Sequence, residues 1–167
     1  MDLDSLPESP EEAAYNAIVN RVQSDATLAG VIKTFQACPF PFAAAPITKL
    51  PLIRIEPATG DIESATFQAD KISLFVNFVI WVPSRPAPGD KTAACGDARD
   101  IMRIWYRLRK VVNFHSDDWL ATALSSFQGL IYGGMQWRST PINYTPNPET
   151  KALGGSATLA VNLEIRD

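Results

Sequence analysis

The stretch that most restricts the fold of this chain is residues 71–85, KISLFVNFVIWVPSR. Apart from Ser73 and Asn77, its residues 72–82 are apolar, and many are β-branched or aromatic, which favours a strand. A strand with one face in water alternates apolar and polar residues, and this segment hardly does. The sequence therefore predicts a central strand over residues 70–82 that is apolar on both faces.

Successive side chains of a strand point to opposite faces. One predicted face consists of the residues at even positions: Ile72, Leu74, Val76, Phe78, Ile80 and Val82. The other face carries Phe75, Val79 and Trp81. Monomers seldom expose an apolar patch larger than roughly a few hundred Å², so this second face needs a cover. Either the N-terminal helical segment of the same chain or a neighbouring subunit covers it, and burial of its three large side chains would stabilise by roughly 5–8 kcal/mol before entropy losses.

The strongest helical pattern covers residues 91–113. Apolar residues recur there at spacings of three and four, which is typical of an amphipathic helix. They are Ala94, Ala98, Ile101, Met102, Trp105, Leu108 and Val112. We expect the even face of the central strand to pack on this stripe. The opposite side is polar and carries Asp97, Arg99, Asp100, Arg103, Arg107 and Lys110.

The remaining elements follow from cap and turn residues. Ser9, Pro10 and two glutamates indicate a helix start, and helical signals over residues 10–23 and 25–36 predict one broken helix or two short ones. The segments before the long helix are a Pro-rich connection at 37–51, a strand at 52–56, a turn at 57–61 and a strand or loop at 62–68. The segments after it are a short helix or turn at 117–128, a strand at 130–138, a loop at 139–149, a turn at Gly154–Gly155 and an alternating strand at 157–166. The glycines at 133 and 134 inside the strand 130–138 indicate a bulge or a close backbone approach.

This order predicts an α+β fold, with a mainly antiparallel sheet, a long helix on one face and helices at the N-terminus. We expect a flexible acidic tail over residues 1–9 and a single domain over residues 10–167, because the tail offers few groups to bury. The chain has 167 residues, of which 46% are hydrophobic, enough for one sizeable core.

Composition excludes several functional classes. The net charge of −3 does not suggest a protein that reads nucleic-acid sequence. No apolar run reaches the roughly 20 residues of a membrane helix, and the acidic N-terminus is unlike a secretory signal, so we expect no membrane partner. Cys38 and Cys95 lack a CxxC spacing and are interpreted as buried free thiols rather than a disulfide or redox pair.

No motif predicts chemistry, and we expect no enzyme, cofactor or metal. His115 has no accompanying nucleophile motif, and Asp117 with Asp118 lacks a third metal ligand. The glycines at 129, 133 and 134 do not form a phosphate-binding loop. The competing hypothesis is a small α+β ligand-binding or enzymatic domain, whose site would use His115, Tyr132, Gln136, Trp137 and Arg138.

The basic residues of the long helix are a second candidate surface. They are Arg99, Arg103, Arg107, Arg109 and Lys110. Such a row could bind a phosphate backbone through charge alone. Without exposed aromatic residues between the cations, a solvated or salt-bridging helix face is favoured.

The layout resembles that of the tail terminator and neck (head–tail completion) proteins of long-tailed bacteriophages. The resemblance covers residues 12–166 and is one of pattern and order. It includes an N-terminal helical stretch with Leu28 after Asp25, a Pro-Leu-Ile-Arg-Ile strand at 51–55, a long apolar strand, a helix of about twenty residues and a closing alternating strand.

The resemblance implies a virion structural protein, located in the tail or neck and assembled in the host cytoplasm. The resemblance implies a ring, a hexamer in this family, that caps the tail tube and connects it to the neck or connector proteins. DNA would pass through the lumen without sequence-specific binding. The implied subunit-interface residues are Phe75, Val79, Trp81, Arg99, Arg103 and Arg107. Another neck protein, or a tube or baseplate subunit, is the alternative within the same class.

Overall fold

A computed structural model of the chain describes residues 7–37, 47–66, 69–84, 93–112, 119–139, 145–147 and 152–166. The chain begins with helices α1 (Pro10–Gln23) and α2 (Ala26–Val31), strand β1 (Thr34–Ala37), a short 3₁₀ helix (Ile47–Lys49) and strands β2 (Leu52–Thr66) and β3 (Ala69–Pro83). Helices α3 (Ala93–Val112) and α4 (Trp119–Ala123) and strands β4 (Leu130–Trp137), β5 (Thr145–Asn147) and β6 (Ala152–Arg166) follow. The predicted α+β class is confirmed.

The described strands form one mixed sheet in the order β1-β2-β3-β6-β4, and the short β5 also pairs with β6. All pairs are antiparallel except β1 with β2. β3 is the central strand, as predicted, and pairs along its whole length with β6, from Ala69 opposite Arg166 to Pro83 opposite Ala152.

The main core lies between one face of this sheet and the helices. Phe78 and Ile80 of β3 are fully buried there, together with Ile18 of α1 and Leu108 of α3. The predicted packing of the even face of β3 on the long helix is therefore confirmed. α1 lies against α3 and α4, and Tyr15 of α1 donates a hydrogen bond of 2.8 Å to the carbonyl oxygen of Ile55.

The N-terminal helices begin at cap residues that the sequence indicates. The Ser9 hydroxyl accepts from the Glu12 amide and Pro10 opens α1, while Asp25 caps α2. The prediction of helix over residues 25–36 is wrong in its second half. α2 ends at Val31, and Thr34–Ala37 is a strand parallel to β2, because pairing with an existing strand outweighs the weak local helical pattern.

The predicted turn at residues 57–61 is also wrong. β2 continues through it as one strand, and a register shift between Ala58 and Asp61 absorbs the irregular residues. β1 pairs with β2 only as far as Ile55. Pro57 therefore lies where β2 has become an edge strand, a position that tolerates a residue without an amide hydrogen.

Two side chains of α3 lie on the other side of the helix from that predicted. Met102 is 51% exposed although it was assigned to the apolar stripe, and Asp97 is buried although it was assigned to the polar side. Ile104 and Val111, which the stripe omitted, are buried instead. The buried side of α3 is thus rotated slightly about the helix axis relative to the predicted apolar stripe. The reason is that core residues contact α3 both from the sheet and from α1 and α2.

The glycines of β4 form a β-bulge, as predicted. The register shifts between Tyr132 and Gly134, and Gly134 has φ of +103°, which a residue with a side chain rarely adopts. The predicted turn at residues 154–155 is wrong, since β6 begins at Ala152 and runs through them.

Several predictions fall on residues outside the described part of the chain. These are His115, Asp117, Asp118, Cys38, most of the tail at residues 1–9 and most of the connection at residues 37–51. The predicted short helix near residue 120 is present as α4.

Candidate assembly surfaces

The second face of the sheet, which we call the helix-free face, receives no core residue from any of the four described α-helices. It consists of the residues on β2, β3, β6 and β4 that point away from the helices, among them Leu52, Arg54, Glu56, Phe75, Asn77, Val79, Trp81, Ser156, Thr158, Asn162, Glu164 and Gln136. The N-terminal helices therefore do not cover it. They pack beside α3 on the opposite face of the sheet. Of the two alternatives that the sequence allowed for covering Phe75, Val79 and Trp81, the N-terminal helical segment is therefore excluded.

Trp81 is held on the helix-free face by its own chain. It packs against a small cluster formed by Leu50, Leu52 and Ala152. Its ring also lies over the backbone of Gly154, where an added Cβ atom would be 2.7 Å from the ring carbons. Glycine is therefore needed at position 154 because the indole occupies the space of a side chain.

Polar pairs cross the middle of this face. Ser73 donates to the Asn162 side-chain oxygen at 3.1 Å, and Thr158 donates to the Asn77 side-chain oxygen at 2.7 Å. Because these residues alternate with apolar ones, the helix-free face is amphipathic rather than uniformly hydrophobic.

A buried charge network lies nearer to β1. The Arg54 guanidinium donates to Gln36 and to Glu56, each at 3.2 Å, and the Arg54 side chain is only 6% exposed. The bonds to a carboxylate and an amide oxygen compensate the loss of water around this charge. Arg54 is thus part of the internal structure and is not offered to a partner.

Phe75 and Val79 are half-buried already within the single chain. Their burial by a partner would therefore yield only part of the stabilisation expected from fully exposed side chains. About half of the original figure, roughly 2–4 kcal/mol for the three predicted residues together, is the more realistic contribution before entropy losses.

A shallow cleft of about 390 Å³ opens on this face where β3, β6 and β4 meet. Phe75 and Ile131 supply apolar walls, and Lys71, Arg138 and Glu164 lie around it. Gly133 of the bulge contributes no side chain, which deepens the cleft. Ile131 is 40% exposed there, and among the strand residues whose side chains the structure describes it is the only large hydrophobic one that is so exposed.

Among the described residues, the sheet also has two edges to which no further strand is paired. β1 leaves β2 after Ile55, and β4 pairs with β6 on one side only within the described part of the chain. The two edges lie on opposite sides of the same sheet. Unpaired amide and carbonyl groups on such edges are ready to bind another strand.

The predicted cations of α3 differ in their surroundings. Arg107 is engaged inside the chain, where its Nε donates to Asp25 Oδ1 at 3.0 Å and its terminal nitrogen to Oδ2. The hydrogen bond from Arg107 holds the pKa of the Asp25 carboxyl below its ordinary value. Arg107 therefore fastens α2 to α3, in agreement with the salt-bridging helix face that the sequence favoured. Its role in a subunit interface stays a prediction. Arg103 is 78% exposed and 3.6 Å from Asp100, and Arg99 is exposed one turn earlier.

An apolar cleft of about 380 Å³ lies between α2, α3 and the end of β3. We call it the α2–α3 cleft. Leu28, Val31, Pro51, Val82, Pro83 and Ile104 form its apolar lining, and Thr27, Asp100, Arg103 and Arg107 its polar lining. Val31 is 52% exposed at its mouth, and Tyr106 on the outer side of α3 is 58% exposed.

A larger polar cleft of about 720 Å³ separates α1, α3 and α4, but its cations are already in use. Arg21 donates to the Val111 carbonyl oxygen at 2.7 Å and lies 4.5 Å from the centre of the Trp119 ring. Arg107 is bound to Asp25. These contacts join the helices to one another, which gives the arginines a structural role.

His115 of the competing ligand-site hypothesis lies outside the described residues, and Tyr132, Gln136 and Trp137 are not brought together on one face. Tyr132 and Trp137 face the helices, and Trp137 packs against the rings of Phe78 and Trp105. Gln136 is on the helix-free face and pairs with Ala160. Among the described residues there is no group of three or more His, Cys, Asp or Glu side chains that could hold a metal ion.

The sequence did not single out three exposed residues that shape these surfaces: Ile131, Val31 and Tyr106. The exposure of Ile131 could have been inferred from the sequence, because the bulge at the neighbouring glycines shifts which positions of β4 point inward and which point outward. No sequence feature predicts the exposure of Val31 and Tyr106, because it depends on where α2 ends and on the rotation of α3.

Comparisons with known proteins add little. No family model matches the chain, and no curated protein matches it. Among solved structures, the chain is similar to a chain from the virion of a native gene transfer agent (GTA) particle, with 12% identity, coverage of 90% of this chain and 93% of that one, and a TM-score of 0.37. At this TM-score and identity, the similarity is not used to infer the function of this chain. No helix in the described ranges has the length and apolar character needed to cross a membrane.

Proposed function

We propose that this chain is a structural subunit of a phage-like virion, and specifically the tail terminator, which forms a ring that caps the tail tube and connects it to the neck. The assignment of the class rests on the resemblance in element order over residues 12–166. The single observation that supports assembly is the sheet itself, which, over the part of the chain that the structure describes, has a helix-free face and two edges without a further strand on opposite sides.

Opposite edges favour a ring over a two-fold dimer. When the edge of β2 beyond Ile55 in one copy meets β4 of the next, the contact is heterologous, and repetition by a constant rotation closes a ring. The cleft with Phe75 and Ile131 lies on the helix-free face close to β4 and would be covered by the same neighbour. In this arrangement DNA passes through the lumen without contacts to its bases.

The first experiment measures the mass of the purified protein in solution by light scattering over a range of concentrations. We expect a discrete ring, and a hexamer if the family resemblance holds. Phe75→Glu on the helix-free face should convert the ring to monomers, because a charge would be buried at the interface. Met102→Glu is the matched control, since this residue is 51% exposed on the helix side. A wild-type protein that stays monomeric at high concentration and adds to no tube end contradicts the proposal.

Electron microscopy of particles made without the protein separates the roles within the class. Overlong tails are expected for a terminator. Absent tails would indicate a tube subunit, and unjoined heads beside normal tails would indicate a neck protein. The last two results would overturn the terminator assignment while leaving a virion role in place.

A further inference from the structure

The exposed side of α3 carries cations on both sides of an aromatic ring. At about 100° per residue, Met102, Arg103, Tyr106, Arg109 and Lys110 fall within an arc of about 120° that is centred on Tyr106. All five side chains are exposed, and the core packs on the opposite side of the helix. We call these five residues the outer face of α3. Its three cations span about 10 Å along the helix axis.

The outer face has three positive charges and no acid. Of the acids on α3, Asp97 is buried and Asp100 lies about 120° around the helix from Tyr106. Arg109 and Lys110 have no acidic partner among the residues that the structure describes. Arg103 is 3.6 Å from Asp100, but both side chains are largely in solvent, where such a pair contributes little and separates readily.

The surroundings of the outer face add positive charge. Lys110 also lines the polar cleft beside Arg21 and Arg107, and Asp25 of that cleft is already bound by Arg107. Arg99 is exposed one turn before Arg103, although it already has an interaction within the chain and is not counted among the proposed contacts. The whole chain has 15 basic and 18 acidic residues, so this group of cations is a local exception to an acidic composition.

Tyr106 changes the balance of the sequence argument about these cations. That argument favoured a solvated or salt-bridging face because no exposed aromatic residue was expected between them. Tyr106 is such a residue, and the Lys110 Nζ lies 4.7 Å from the centre of its ring. The tyrosine hydroxyl is also a donor of the kind that binds phosphate oxygens.

The composition of the outer face favours a polyanion over other partners. A protein that covered it would remove water from three cations and would need an acid placed against each. A membrane surface would need a broad apolar area, whereas the apolar side of α3 is already in the core. A nucleic-acid backbone carries closely and regularly spaced charges, and it can neutralise exposed cations without burying them.

We propose that the outer face of α3 binds the phosphate backbone of nucleic acid without reading its sequence. Arg103, Arg109 and Lys110 meet the phosphates, and the Tyr106 hydroxyl is a further donor. This inference goes beyond the proposed function and does not rest on the ring, because all of its residues lie on a single chain.

Fluorescence anisotropy with a short labelled DNA duplex tests the proposal. The Phe75→Glu variant is used, so that the proposed ring does not place several copies on one duplex. We expect binding at low salt and a slope of about −3 in the logarithm of the binding constant against the logarithm of the salt concentration, because three phosphates are neutralised. A duplex of unrelated sequence should bind equally well. Absence of binding at low salt, or a preference of about tenfold for one sequence, would overturn the proposal.

Matched variants locate the site. Arg103→Gln, Arg109→Gln and Lys110→Gln should each weaken binding and reduce the size of the salt slope by about 1. Lys71→Gln is the control, since it removes the same charge from an exposed residue of β3 on the helix-free face, and it should leave the slope unchanged. If Lys71→Gln has the same effect as Arg109→Gln, the duplex responds to the total charge of the protein and the outer face is not the site.

Competition assays separate nucleic acid from other acidic partners. Unlabelled duplex DNA and duplex RNA should both displace the probe, and the tighter competitor identifies which backbone the face fits better. Polyglutamate at the same concentration of charge should compete more weakly, because its charges are less densely spaced than those of a duplex. Tighter binding of polyglutamate would indicate an acidic protein partner instead. Binding to vesicles that contain phosphatidylserine, without binding to duplexes, would indicate a membrane surface. Either result would overturn the proposal.

Two variants allow the ring and the outer face to fail separately. Met102→Glu places a negative charge on the outer face without removing a cation, so it should weaken duplex binding about fivefold and leave the ring intact. Phe75→Glu should break the ring and leave duplex binding by single chains. If Met102→Glu and the three glutamine variants leave duplex binding unchanged, the outer face is not the site and the terminator role stands. If the wild-type protein is monomeric and binds duplexes with the expected slope, the ring is wrong and the proposal for the outer face stands.

Discussion

The two faces of the sheet differ in what covers them and in the side chains they carry. On the covered face, Phe78 and Ile80 of β3 are fully buried beneath α1 and α3 and form a conventional core. On the helix-free face, Phe75 and Val79 of the same strand stand among hydroxyl and amide groups that bond to one another. An apolar run in a central strand thus need not mean burial on both sides within one chain. Such a run can also have one face buried in the core of the chain and a second face that a partner can cover reversibly or in part.

The sharpest way to break this comparison is to truncate one phenylalanine on each face. Phe78→Ala should lower the free energy of unfolding by about 3–5 kcal/mol, because it leaves a cavity beside Trp137. Phe75→Ala should cost only about 1–2 kcal/mol in the monomer, since its side chain is half-buried. Urea denaturation at low protein concentration measures both values. Equal losses would mean that the helix-free face is as fully covered as the core.

Gly154 offers a test of packing on the helix-free face. Gly154→Ala should destabilise the protein by about 1–3 kcal/mol, because the new methyl group overlaps the ring of Trp81. In the Trp81→Leu background, the same substitution should cost clearly less. A double-mutant cycle from thermal denaturation gives the coupling. Additive losses would show that the indole does not lie over the glycine.

The polar pairs of the helix-free face predict a smaller effect. Asn77→Ala removes the acceptor of the Thr158 hydroxyl and should cost about 1 kcal/mol. Asn77→Asp keeps an acceptor in place and serves as the control at neutral pH. Chemical denaturation distinguishes the two variants. If Asn77→Ala is neutral in the monomer and in the ring, the pair makes no net contribution.

The smallest expected effect concerns the ion pair between Arg107 of α3 and Asp25, the cap of α2, on the covered side of the sheet. Because Arg107 lowers the pKa of Asp25, the folded chain binds fewer protons than the unfolded chain near the ordinary carboxyl pKa. The stabilisation is present above pH about 4 and is lost as the pH falls through the lowered pKa of the folded state. Asp25→Asn keeps a residue that can cap α2 and should reduce the acid-dependent part of the unfolding free energy. An unchanged pH profile would show that the pair does not contribute.

The sequence predicted the features that depend on local patterns. The alternation of β6, the apolar run of β3, the long helix and the bulge at residues 133–134 were all readable because periodicity and glycine act locally. β1 and the unbroken course of β2 were not predicted. Both depend on pairing between strands that lie far apart in the chain or on a bulge that absorbs Pro57, and no local pattern contains that information.

The candidate surfaces were only partly predictable. The sequence indicated the helix-free face through Phe75, Val79 and Trp81, but it could not show that Trp81 packs on Gly154. It favoured a solvated or salt-bridging face for the cations of α3, but it could not show that the partner of Arg107 is Asp25, 82 positions earlier. Ion-pair partners across such separations are set by the docking of helices and not by spacing. The role of the predicted residues in a subunit interface stays a prediction.

The bulge in β4 has a consequence for the length of the chain. Leu130 and Tyr132 before it face the helices, as do Met135 and Trp137 after it, only because one additional residue separates the two pairs. Deletion of Gly133 alone would leave Tyr132 and Met135 two positions apart, so a regular strand without the bulge would keep Met135 and Trp137 facing the helices. Loss of the bulge without a deletion, or insertion of one more residue, would instead present Gln136 to the aromatic interior and turn Trp137 outward. This strand can therefore become one residue shorter at the bulge, and an aligned relative without the extra residue would keep the same inner face.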